Sequence, residues 1–154
     1  MIYLVHHGDA AGPEVDPARP LSPLGRQQTD LLAQKAAGRG VMPRVIWHSG
    51  KLRAKQTAEA FWRRCNPLSA FAAVRGLQPL DAPGHIVETI ADEEDDVMVV
   101  GHFPQMPALL TLLSTGDPMA SPSPGDFPMH GIVALEKVEG KWVESWRLTS
   151  EVGN

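Results

Sequence analysis

The chain has a single cysteine, Cys65, among 154 residues. No intramolecular disulfide can form, and nothing implies an oxidising compartment. Long hydrophobic runs are missing too. Stretches such as Pro107 to Leu113 fall far short of the ~20 apolar residues a membrane-spanning helix needs. Met1 to Val5 is too short for a signal core and carries no basic leader, so the expectation is a cytoplasmic protein without a membrane partner. Basic residues are not in excess: 14 Lys and Arg against 18 Asp and Glu give a net charge of −4. That balance argues against a general nucleic-acid binder, whose affinity rests on counterion release by cations. What remains is 43% hydrophobic and 21% charged, the composition of a folded domain able to bury a core. One domain over 1–154 is expected.

Short apolar runs alternate with helical patterns. Ile2 to Val5, Val45 to His48 and Val97 to Val100 read as strands, and the last, lacking polar alternation, reads as a central one. Ser22 and Pro23 mark the start of a helix through Leu24, Gln28, Leu31, Leu32 and Lys35, ending near Gly38 and Gly40. A second helix is predicted from about Lys51 to Arg64, with Leu52, Ala58, Phe61 and Trp62 as its apolar face. Phe71 to Leu77 is a weak third strand, His85 to Ala91 a short helix, and Pro104 the start of a helix to about Ser114. The acidic run Asp92 to Asp96 reads as a solvated turn rather than a metal site. Gly116 to Gly131 reads as a long surface loop facing the substrate. Ile132 to Val138 and Trp142 to Leu148 flank Glu139-Gly140, a hairpin signal. The pattern predicts an α/β fold in three layers: a mostly parallel sheet, helices on both faces, and an antiparallel hairpin at one edge.

Three basic residues stand at equivalent places in this scheme. His7 follows the first strand, Arg53 opens the helix after the second, and His102 follows the central strand. Ligands of open parallel sheets bind beyond the carboxyl ends of the strands, so these residues converge on one crevice. A cation in the first turn of a helix is disfavoured by the helix dipole. A bound anion explains Arg53 there, because helix N-termini and a forked guanidinium both favour phosphate oxygens. Imidazole is a competent nucleophile toward phosphorus near neutral pH. Taken singly, each residue is as well explained by an ordinary solvated or structural role. Adjacent His6 and His7 normally point to opposite faces of a strand, and no HxxxH or cysteine-rich set is present, so no metal is expected. His130 is a candidate to face the pocket; His48 and His85 read as structural or exposed.

Four segments carry a family resemblance in order along the chain: Val5-His6-His7-Gly8-Asp9-Ala10, Arg19-Pro20-Leu21-Ser22-Pro23-Leu24-Gly25, Ser49 to Thr57, and Val97 to His102. They resemble the histidine phosphatase superfamily, and within it the small bacterial phosphohistidine phosphatases of the SixA type. The resemblance implies a phosphoglycerate-mutase-like fold and a phospho-accepting nucleophile at His7. It also implies a phosphoryl group held by Arg53 and His102, with His6 at a phosphate-binding position and no cofactor. Phosphate or another oxyanion is the expected ligand, and a phosphorylated histidine-containing protein the expected partner.

The chain departs from the family pattern in three places. His6 replaces an arginine, Gly50 a proline, and Lys51 an apolar residue. His6 is not equivalent to a permanently charged, bidentate guanidinium, and Lys51 leaning toward the pocket would restore the lost charge. No obvious glutamate stands where related enzymes place an acid for the leaving group: Asp81 and Glu88 are candidates for it but poorly placed by pattern, and Asp9 reads as structural. A labile P–N bond suits such a site. The reading is a metal-independent phosphatase of phosphoramidates or phosphoesters, foremost protein phosphohistidine, working through a covalent phosphohistidine intermediate on His7. The alternative, favoured by His6, is a degenerate member that binds phosphorylated ligands with little or no turnover.

Overall fold

β1 (Ile2–His6) and β4 (Val97–Gly101) are buried at every position, as expected of strands covered on both faces. In the computed structural model, which describes residues 1–123 and 125–150, they pair in parallel, Ile2 opposite Val97 and His6 opposite Gly101. β2 (Val45–His48) lies parallel on the other side of β4, and β3 (Ala70–Ala73) extends the parallel part outward. β5 (Ile132–Val138) joins β1 in antiparallel fashion, and β6 (Lys141–Leu148) forms the edge. The order is β3-β2-β4-β1-β5-β6. Glu139 and Gly140 both have positive φ, 50° and 80°, the geometry of the primed turns whose twist matches a hairpin.

Four helices complete the layers: α1 (Pro23–Gly38), α2 (Leu52–Cys65), α3 (Gly84–Ala91) and α4 (Gln105–Thr115). Strand alternation decides which side each residue serves. Tyr3 and Val5 pack with Leu32, Ala36, Ala58 and Phe61 of α1 and α2. Ile2 and Leu4 pack with Ile86, Ile90, Met106 and Leu109 of α3 and α4. This is the three-layer α/β fold the pattern predicts. No helix of the described residues is long and apolar enough to cross a membrane.

Some boundaries and faces differ from expectation. α1 begins as predicted, with Ser22 Oγ accepting from Gly25 N, but its buried stripe is Gly25, Thr29, Leu32, Ala33 and Ala36. Leu24 is 55% exposed. The helix docks through its smallest residues because the chain after β1 passes so close: a Cβ on Gly25 would lie 2.0 Å from Asp9 O. In α2, Lys51 is the cap rather than the first helical residue, and Leu52 is exposed while Ala58 and Phe61 are buried. β3 stops at Ala73, not Leu77. Its partner β2 ends at His48, whose carbonyl takes a last bond from Val74 N, and beyond it there is no strand to pair with. Leu77 is fully buried nonetheless, as a loop residue. Residues 116–131 contain no regular element among those described, and Pro124 lies outside the described residues. This loop is pinned near its end by Phe127, buried edge-on to Phe103.

Candidate active site

Because His6 pairs with Gly101, the residues that follow them, His7 and His102, leave adjacent strands side by side. Their ring centroids are 5.0 Å apart. His7 is fixed in one tautomer: Nδ1 lies 2.7 Å from Gly8 O, and since a carbonyl only accepts, Nδ1 carries the proton. Nε2 is left with its lone pair. His130 follows the same logic, donating from Nδ1 to His7 O at 2.7 Å. His6 is the opposite case. Its Nδ1 accepts from the backbone N–H of His130 at 2.8 Å, so the proton of the neutral ring sits on Nε2. His6 is stacked between Phe103 and His130, with centroids at 4.0 and 4.9 Å.

The second cation arrives on α2 and is tied to the loop after β1 through Thr57. Gly8 N donates to Thr57 Oγ1 at 3.0 Å, and Thr57 Oγ1 donates to Arg53 O at 2.8 Å. On its other side Gly8 lies against α1, where a Cβ would come within 2.3 Å of Thr29 Oγ1. Gln56 Oε1 accepts from Leu21 N, and Asp9 Oδ2 accepts from Ser22 Oγ. The motif residues Asp9, Ser22, Gln56 and Thr57 are therefore braces between segments distant in sequence. They bring Arg53 to the histidines, and Asp9 is structural as expected. Arg53 Nε is buried without a hydrogen-bond partner, and so is His102 Nδ1. His102 Nε2 bonds Ser49 Oγ at 2.6 Å. Among the described residues Arg53 makes no ion pair.

The electrostatics follow from this crowding. Burial, with repulsion from the neighbouring His7, His130, His102 and Arg53, pushes His6 down from 6.5 to about 2. Burial holds His7 at about 4 against the opposing bond to Gly8, with Arg53, His130 and Arg19 adding to the depression. Burial and the charges of His7, Arg53, Lys51 and Arg19 take His102 to about 3. Burial, then Arg19, lowers Arg53 as well. Among the described residues these desolvated imidazoles and the Arg53 guanidinium have no carboxylate ion-pair partner, and such a site favours an anion.

The structure thus brings together His6, His7, Arg53 and His102, and adds His130. Arg19, matched only as part of a motif, acts electrostatically on His7, Arg53 and His102, whereas Lys51 acts on His102 alone. Arg19, rather than Lys51, is the cation that sequence reasoning passed over; its place in Arg19-Pro20-Leu21 was the available signal. Asp81 caps Gln78 N through Oδ2, and Glu88 is exposed on α3. His48 is buried and accepts from Gly50 N, and His85 is exposed.

His6 and His7 do not separate onto opposite faces. Strand alternation ends at His6, and the two ring centroids are 4.5 Å apart. One ring nitrogen from each of His6, His7 and His130 lies within 4.8 Å of the others, the one such grouping among the described residues. The fit to a metal ion is poor. His6 has its proton on Nε2 and its Nδ1 occupied, and Arg53 and Arg19 repel a cation.

Residues 2–78 match the family model described as histidine phosphatase superfamily (branch 1). No curated protein matches the chain. Among solved structures, the protein histidine phosphatase SixA complexed with tungstate is 26% identical, over 97% of this chain and 96% of that one, with a TM-score of 0.81. The putative phosphohistidine phosphatase SixA from Agrobacterium tumefaciens is 27% identical, over 96% of each chain, with a TM-score of 0.79. A phosphoserine phosphatase mutant from Entamoeba histolytica in complex with phosphoserine shares the fold, at 14% identity over 97% of each chain and a TM-score of 0.70. With half its length matched by the family model and a SixA-like fold from end to end, the chain belongs to the histidine phosphatase superfamily.

Proposed function

We propose that this protein is a phosphatase that moves a phosphoryl group from a phosphorylated histidine of another protein to its own His7, and then to water. The observation that carries the reading is an imidazole held unprotonated at Nε2 near an arginine, Arg53, whose buried Nε has no protein partner. In the first step the Nε2 lone pair of His7 forms a bond to phosphorus while the P–N bond to the leaving imidazole breaks. Arg53 and the free Nδ1 of His102, with Ser49 donating to its other nitrogen, hold the equatorial oxygens, where charge-assisted bonds are strongest. His6 contributes one neutral donor, Nε2–H, and Arg19 adds positive potential. Water then attacks the phosphoryl group on His7, and the N–P electron pair returns to the ring.

A protein substrate is supported by what lies beside the pocket. An open groove of about 640 Å³ runs along Ser49, Arg75, Gly76, Gln78, Asp81 and His85, suited to an extended or bulky partner rather than an enclosed metabolite. One SixA structure bears the name protein histidine phosphatase, and among the described residues the one carboxylic acid lining this groove is Asp81, which is engaged by Gln78 N. The second reading, phospho-ligand binding with little turnover, is favoured by His6, which offers one uncharged donor where a guanidinium would offer two bonds and a charge.

Incubation with radiolabelled phosphohistidine peptide or acetyl phosphate, followed by quenching in base, separates the two. Turnover requires acid-labile, base-stable label on His7 and its loss in His7→Ala. Stoichiometric, reversible binding without label on the protein would establish the binder instead.

A further inference from the structure

We infer that His130 is the proton donor to the leaving group and the proton acceptor from the attacking water, in the role a carboxylic acid fills elsewhere. The inference rests on the reading of His7 as nucleophile. It starts from the shortage of other candidates among the described residues. Asp9 is bound to Ser22, Asp81 caps Gln78 N, and Glu88 is exposed on α3. His6 has its Nδ1 taken and cannot lose the Nε2 proton without becoming an anion. His102 is 1% exposed and is engaged by Ser49.

His130 alone among these rings combines access with a free nitrogen. It is partly exposed, at the point where the 116–131 loop returns to β5. Its backbone N–H is spent on His6 and its Nδ1–H on the carbonyl of His7, at 2.8 and 2.7 Å. These two bonds fix the ring and leave Nε2 to take and give a proton. A ring nitrogen of His130 lies within 4.8 Å of one on His7. A phosphorus poised for attack sits roughly 3–3.5 Å from its nucleophile, with the leaving atom one bond beyond. The His130 ring therefore borders the space that a phosphoryl group on His7 and its leaving atom would fill, which is where general acid catalysis requires its donor.

The protons balance over the cycle. As P–N or P–O breaks, its electron pair goes to the leaving atom, which takes the proton from Nε2 of the His130 imidazolium. The neutral ring then removes a proton from water as the hydroxyl oxygen bonds to phosphorus. The N–P pair returns to His7, inorganic phosphate departs, and His130 is again protonated.

The test is His130→Asn. Asparagine tolerates the positive φ of 53° at this position. Its amide nitrogen can replace the Nδ1–H donation to His7 O, and it has no group to exchange protons. The expected result is a fall of about 10²–10⁴ in kcat, the range for a lost general acid, on a phosphohistidine peptide and on an unactivated alkyl phosphate. With p-nitrophenyl phosphate, whose leaving group departs without a proton, phosphorylation of His7 in a single turnover should change less than about threefold. Equal losses on all three substrates would reduce His130 to a structural brace, and no loss on any would remove it from the chemistry; either result overturns the proposal. Label on His7 in the parent protein is scored in parallel. Its absence would defeat the phosphatase reading itself, whereas its presence with a flat leaving-group dependence defeats only the role of His130.

Discussion

The two ends of the central strands carry concavities of similar size and opposite character. At the amino ends of β1 and β4 lies a cavity of about 690 Å³, lined by Met1, Ile2, Glu93, Glu94, Lys137, Lys141 and Trp142 among others. Charges of both signs meet there: the amino terminus bonds Asp96 at 2.8 Å, and the Lys137 ammonium sits over the Trp142 ring. At the carboxyl ends lie the histidine cluster and the groove of about 640 Å³ beside it. Here Arg53 and His102 keep buried polar atoms without partners. Volume does not distinguish the two ends; unsatisfied charge does. A desolvated cation with no counter-ion is costly to the fold, and it persists where a ligand supplies the missing anion.

The sharpest way to break that comparison is to remove the partly buried cation Arg53 from one end and the exposed cation Lys141 from the other. Arg53→Ala should weaken binding of phosphate or tungstate by roughly 1.5–3 kcal/mol, the scale of a charge-assisted hydrogen bond, while Lys141→Ala leaves it unchanged. Isothermal titration calorimetry on both variants decides, and equal affinities would mean that the anion sits elsewhere.

The next effect is on stability against pH. The folded protein holds His6 and His102 neutral, at about 2 and about 3, whereas the unfolded chain binds protons on them below 6.5. Acid therefore favours the unfolded state. Stability is highest above pH 6.5 and falls as pH drops from there toward 4, at up to about 1.4 kcal/mol per pH unit for each imidazole. Tungstate stabilises the charged rings and should flatten that slope. A melting temperature that stays constant from pH 7 to pH 5 would show that burial does not hold the rings neutral.

A smaller effect is expected at His6. His6→Arg installs the family residue but removes the acceptor for the His130 N–H, which would cost about 1–3 kcal/mol for a buried unpaired donor. A lower melting temperature is expected, and any gain in turnover should be smaller than the recovered charge alone would give. A variant as stable as the parent would show that the His6–His130 bond contributes nothing. Smallest of all is the response to EDTA. Full turnover is expected after chelation, because the tautomer of His6 and the charge of Arg53 oppose a cation in the cluster. Loss of turnover restored by one divalent ion would reverse that expectation.

How much of this was legible along the chain depends on the range of the interaction. β1 and β4 could be read from unbroken apolar runs, the start of α1 from Ser22-Pro23, and the hairpin from Glu139-Gly140, because each is set by neighbours a few residues apart. Strand ends placed His7, Arg53 and His102 together, and the motifs Arg19 to Gly25 and Ser49 to Thr57 marked the segments that Asp9, Ser22, Gln56 and Thr57 brace. The end of β3 was misjudged because it depends on where its partner β2 stops, not on residues 74–77 themselves. The apolar face of α1 was misjudged because Gly25 admits Asp9 within contact, which no periodicity records.

By itself, then, the sequence determined the order of strands and helices along the chain and the residue types at the strand ends. The tertiary structure alone decided which nitrogen of the His6, His7 and His130 rings carries its proton. That follows from a carbonyl at Gly8, a carbonyl at His7 and an N–H at His130. The His6–His130 bond spans 124 residues of sequence. An imidazole is donor at one nitrogen and acceptor at the other, and its partners across the fold select which. His6 and His7, adjacent and chemically identical in the chain, are thereby made opposites in the pocket.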